Sequence, residues 1–112
     1  VEITGPPERA KLGMDSRAGW FSYVSKNDLM WVKRYPVYPE RVYNEMAGLT
    51  ISIWYNKEEM TELEPIGPRE LLAPGESSSF TEDWWLLPYS YPKDGSDLDL
   101  KAIDELVERQ AR

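Results

Sequence analysis

Apolar and polar residues alternate along much of this chain in short runs bounded by turn formers, the pattern of antiparallel strands with one buried face. Trp20–Val24 and Leu29–Tyr35 are two such runs. The polar Ser25-Lys26-Asn27-Asp28 between them suits a four-residue hairpin loop. Leu49–Tyr55 alternates most clearly, with Leu49, Ile51, Ile53 and Tyr55 on one face and Thr50, Ser52 and Trp54 on the other. A turn at Asn56–Glu59 leads into Met60–Ile66, which Pro65, Gly67 and Pro68 bring to an end. Pro74-Gly75 marks a further turn before the aromatic run Ser77–Leu87. Five strands result, six if the loop Pro36–Gly48 holds a short one around Arg41–Glu45.

The period then changes. From Leu98 to Gln110, Leu100, Ile103 and Val107 follow the i, i+3, i+7 spacing of an amphipathic helix, with Ser96 or Asp97 as its cap. Asp97 and Asp99 near its start and Arg109 and Arg112 near its end match the helix dipole. Residues 1–19, with Gly5, Pro6, Pro7, Gly13 and Gly19, show no sustained period and read as an irregular lead-in. The sequence thus predicts a mainly β fold, an antiparallel β-sandwich region over residues 20–88, followed by a loop and helix over 89–112 in the same domain.

Composition narrows the chemistry. The 112 residues fit one domain, and five Trp and seven Tyr supply rings for a core or for an exposed platform. A formal charge of −7 repels phosphate backbones and anionic lipid, so neither nucleic acid nor membrane is an expected partner. No apolar stretch is long enough to span a bilayer, and the chain reads as soluble. It begins at Val1 without Met, as a processed or trimmed product would, and its compartment stays open. With no Cys and no His, disulfides, thiolate catalysis and Ser–His–Asp chemistry within this chain are excluded. No nucleotide-binding glycine motif occurs, and no cofactor is expected.

Three constellations could carry function. In Thr61-Glu62-Leu63-Glu64-Pro65, strand alternation sets Glu62 and Glu64 on one face about 7 Å apart. They could hold sugar hydroxyls or act as acid and base, or be a solvated strand surface around a buried Leu63. In Leu29–Tyr35, Trp31 and Lys33 share a face, which suits stacking on a sugar with a neighbouring donor, and equally a core Trp with a snorkelling Lys. In Phe80–Leu87, the adjacent Trp84 and Trp85 must point to opposite faces, and a core role for both fits a strand inside a sandwich. The acidic group Glu58, Glu59, Glu62 and Glu64 could attract Ca²⁺, but no Asp-x-Asp-x-Asp-Gly loop accompanies it.

The series Lys11–Ser16, Gly19-Trp20, Val32–Arg34, Glu62–Pro68, Leu72–Ser77 and Thr81–Leu86 resembles the C-terminal half of galactose-mutarotase-like β-sandwich proteins. The nearest likeness is to a bacterial subgroup, domain of unknown function 4380, over roughly Leu12 to Pro88. The resemblance implies half of a two-sheet supersandwich whose concave face receives carbohydrate. Together with the aromatics interleaved among polar side chains on the strands, it makes Trp31 or Trp54 the expected stacking residue and Lys33, Glu62 and Glu64 the expected partners of the sugar hydroxyls, while the resemblance itself implies only Glu62 or Glu64, as a catalytic base. Active mutarotases pair a His acid with a Glu base, and this chain has no His. An aldose epimerase would therefore need the remaining half, or Lys33 or a Tyr as acid. A structural module with buried aromatics is the third reading. An incomplete sandwich also implies a partner, either a second copy or the N-terminal half of the parent, meeting a strand edge or the Trp-bearing face of Ser77–Leu87.

Overall fold

A computed structural model of the chain describes residues 1–5, 7–56 and 60–112. Among them are six strands, all pairing antiparallel, and one helix: β1 Lys11–Met14, β2 Trp20–Ser25, β3 Leu29–Arg34, β4 Ile51–Tyr55, β5 Thr61–Pro65, β6 Asp83–Pro88 and α1 Leu100–Gln110. They form two three-stranded sheets, ordered β1-β4-β5 and β2-β3-β6. The chain divides into two units accordingly, Val1–Ala18 with Pro36–Phe80, and Gly19–Tyr35 with Thr81–Arg112. Residues 20–88, read from the sequence as one sandwich region, are shared between both units.

Three local expectations are corrected. Residues 11–14, assigned to an irregular lead-in, form β1 because β4 gives them a partner, with Lys11 opposite Trp54 and Met14 opposite Ile51. Arg41–Glu45 forms no strand, and of the Ser77–Leu87 run only its end, from Asp83, is extended and paired. The predicted turn at Asn56–Glu59 falls mostly on residues 57–59, which lie outside the described residues together with Glu58 and Glu59 of the acidic group.

In the first unit, ladder register places Leu12, Met14, Ile51, Ile53 and Leu63 on one face of the sheet. Lys11, Gly13, Ser52, Trp54, Glu62 and Glu64 occupy the other. Thr50, at the entry to β4, joins three segments. Its N–H donates to the Met14 carbonyl, its hydroxyl accepts from Ser16 N and donates to Ser16 O, and its carbonyl accepts from Ile66 N. Leu49 departs from the predicted alternation. Its side chain fills the space a Cβ would need at Gly13, on the face of Ser52 rather than that of Ile51. The turn Glu45–Gly48 before it, with Met46 at φ 47, redirects the backbone.

In the second unit, β2 and β3 are joined by three residues rather than four, since Ser25 already pairs with Leu29. Asp28 closes the turn at φ 66, a left-handed conformation that Asp tolerates better than most residues. One face of this sheet, carrying Met30, Val32, Trp85 and Leu87, packs on Ile103 and Val107 of α1 and on Ala111, its C-cap. The predicted stripe is thus shifted: Leu100 is exposed, and Leu98 covers the core instead. The cap is Asp99 rather than Ser96 or Asp97. Its carboxylate accepts from Ala102 N at 3.0 Å. Leu98 at N′ and Ile103 at N4 then take the positions of a hydrophobic staple.

Candidate functional site

Because one face of the β2-β3-β6 sheet is covered by α1, residues of opposite parity point the other way. These are Phe21 and Tyr23 on β2, Trp31 and Lys33 on β3, and Trp84 and Leu86 on β6. Tyr23 faces Trp31, Trp31 faces Leu86, and Lys33 faces both Phe21 and Trp84 across the ladders. Buried large rings are the rule in a small domain, yet Trp84 is 58% exposed and Trp31 39%. Tyr23 and Leu86 are also exposed, so the four make one apolar, aromatic surface.

The indole of Trp84 is fixed on several sides. Its Nε1–H donates to Glu82 Oε2 at 2.7 Å, and the Lys33 ammonium lies 4.7 Å from its ring centroid. Lys33 also reaches Glu82 Oε2 at 3.1 Å, and its side chain is only 11% exposed. Trp31 meets Trp84 edge to face, with centroids 5.1 Å apart and planes at 72°. Cation, carboxylate and second ring therefore hold the exposed indole in one orientation, so a ligand stacking on it orders little side chain.

Trp31 and Lys33, expected at a site from the sequence, are thus brought together. Trp84 corrects the expectation of a core role for both tryptophans: Trp85 faces α1, and Trp84 faces outward. Sequence reasoning missed Trp84, Glu82, Tyr23 and Leu86. Their opposite parity to Leu87 and Met30 was readable, but the face that α1 would cover was not.

Trp54, Glu62 and Glu64, the remaining expected site residues, lie on the β1-β4-β5 sheet and share a face. Trp54 stands opposite Glu62, and Ser52 opposite Glu64. Glu62 is exposed, while Glu64 and Trp54 are half-buried. Among the described residues, the cation at this stretch of ladder is Lys11, opposite Trp54. The Glu45 carboxylate, 2.5 Å from its ammonium, raises the Lys11 pKa, and the fields of Glu64 and Glu62 add to the effect. Among the described residues no group of three or more His, Cys, Asp or Glu is arranged to hold a metal ion. None of their helices is long and apolar enough to cross a membrane.

No protein-family model, curated protein or solved structure matches the chain.

Proposed function

We propose that the outward face of β2-β3-β6 binds carbohydrate, within a β-sandwich of the galactose-mutarotase-like kind. The observation that carries this reading is the exposed indole of Trp84, held rigid by Glu82 and Lys33 beside Trp31. A pyranose ring has a face rich in C–H groups that stacks on an indole, while its hydroxyls stay in water. Trp31 and Trp84 supply the stacking surface, and Tyr23 adds a hydroxyl at its margin. Lys33 acts through the ring it supports, because its ammonium is engaged by Glu82. The six antiparallel strands in two three-stranded sheets give the mainly β framework on which the sandwich reading rests. Neither nucleic acid nor anionic membrane is proposed as a partner, since a net charge of −7 repels both.

Tryptophan fluorescence and calorimetric titration against a panel of mono- and oligosaccharides test the proposal. The expected result is saturable binding to at least one sugar, weakened about tenfold or more, or about 1.4 kcal/mol, in Trp84→Ala. No binding across the panel, or binding unchanged in both Trp84→Ala and Trp31→Ala, overturns it.

Aldose epimerisation is a second reading, favoured by the shared face of Trp54, Glu62 and Glu64. Here Glu62 or Glu64 takes the anomeric hydroxyl proton while an acid protonates the ring oxygen, so that the ring C–O bond opens to the aldehyde and recloses on either face. Polarimetry on a fresh α-anomer decides it. Mutarotation no faster than in buffer, or unchanged by Glu62→Gln and Glu64→Gln, rules it out.

A further inference from the structure

The segments Glu40–Val42 and Arg69–Leu72 lie side by side in the first unit. Arg69 N donates to the Val42 carbonyl at 2.7 Å, and Arg41 reaches across to Glu70 at 2.9 Å. A hollow of about 400 Å³ opens between them, lined by Glu40, Arg41, Val42, Arg69, Glu70 and Leu71. Leu71, at its rim, is 80% exposed, and Val42 and Leu72 are also exposed. These side chains are held out to solvent by a segment that is itself anchored, an arrangement that leaves apolar surface without cover.

Charge decides what fits there. The chain carries −7 overall, so most of its surface repels a second copy. This patch holds two Glu and two Arg and is locally neutral. Arg41 and Glu70 are joined to each other, whereas Glu40 and Arg69 make no ion pair among the described residues. Across a two-fold axis, Arg69 and Glu40 of one copy are complementary in charge to Glu40 and Arg69 of the other, and the exposed Leu71 side chains supply apolar contact. An isologous contact requires that self-complementarity, in which residue i meets j and j meets i.

We infer that Glu40–Val42 and Arg69–Leu72 form a self-association surface, whose occupant is a second copy of this chain. The sequence pattern pointed instead to a strand edge or the face of Ser77–Leu87. The inference does not rest on carbohydrate binding, which it places on the other unit. The contact is small, and small contacts are weak and concentration-dependent.

Sedimentation velocity on the full chain over a wide concentration series tests it, with circular dichroism verifying that each variant is folded. Wild type should shift from monomer to dimer as concentration rises, and Leu71→Asp should weaken this about tenfold or more. Arg69→Glu alone and Glu40→Arg alone should each self-associate less, because each sets like charges against each other twice. An equimolar mixture of the two should recover the dimer, since both contacts then pair opposite charges. A wild type that stays monomeric throughout overturns the inference. So does a dimer that Leu71→Asp leaves intact and Trp84→Ala abolishes, or a mixture that fails to recover association.

Discussion

Lys33 and Trp84 face each other directly across the β3–β6 ladder, and the ammonium of the first lies 4.7 Å from the ring centroid of the second. Glu82, two residues before Trp84, accepts from both. Glu82 stands one residue ahead of β6, and its one carboxylate holds the indole N–H and the cation at once. An exposed Trp with free rotamers would stack weakly on any ligand, and here the rotamer is set before a ligand arrives.

Removing that carboxylate should both destabilise the sheet and loosen the ring. Glu82→Ala takes a partner from a largely buried ammonium and from Trp84 Nε1, at a cost of about 1–3 kcal/mol. Urea unfolding should show the loss, and the near-ultraviolet circular dichroism of the tryptophans should fall. Glu82→Gln, which keeps an acceptor oxygen, should retain more of the dichroism. An unchanged spectrum in Glu82→Ala would show that the contacts do not orient the ring.

Asp28 ties the β2–β3 turn to the segment that follows β6. Its carboxylate accepts from Lys93 Nζ at 2.7 Å and from Tyr91 N at 2.9 Å, and its carbonyl accepts from Tyr89 N. The Lys93 hydrogen bond first, and the Tyr91 N–H second, lower its pKa below the ordinary value. A lowered carboxylate pKa stabilises the fold above the unfolded-state value, about 3.9 for Asp, and that contribution is lost as pH falls through the folded-state value. Asp28→Asn keeps the left-handed turn and an acceptor for Tyr91 but not the charge. Thermal melts from neutral pH downward should show wild type more stable at neutral pH and the two converging at acid pH. A constant difference across the series would refute the linkage.

The two faces of β2-β3-β6 should respond differently to truncation. Met30 is fully buried against α1, and Met30→Ala should cost about 2–5 kcal/mol through lost burial and the cavity left behind. Leu86 is exposed on the opposite face, and Leu86→Ala should change stability by no more than about 0.5 kcal/mol. Chemical denaturation of the two variants side by side is the measurement. Comparable losses would mean that the outward face is also structural.

The space beside Gly13 is taken by Leu49. A Cβ there would stand 2.0 Å from a Leu49 methyl carbon, the end of a rotatable side chain, so Gly13→Ala should cost about 1 kcal/mol as Leu49 shifts. The double variant Gly13→Ala, Leu49→Ala should lose less than the sum of the two single changes. Strict additivity in urea unfolding would show that the two side chains do not compete for that space.

Local periodicity determined the elements built from near neighbours. Alternation in Ile51–Tyr55, in Leu29–Arg34 and around the hairpin needs only the two-residue repeat of an extended chain, and Ile103 and Val107 need only the helical one. Alternation also places Trp31 with Lys33, and Glu62 with Glu64, on common faces, because parity is a property of one strand. It does not say which face is covered. Tertiary structure decided that α1 packs on Met30, Val32 and Leu87, and this turned Trp84 and Trp31 outward. It also decided that Lys11–Met14 is a strand, since an isolated run containing glycine gains its ladder bonds only when β4 arrives beside it. The joining of Lys33 to Glu82, and of Arg41 to Glu70, was decided there too: register across distant strands and the course of loops depend on contacts far apart in the chain, which no local repeat encodes.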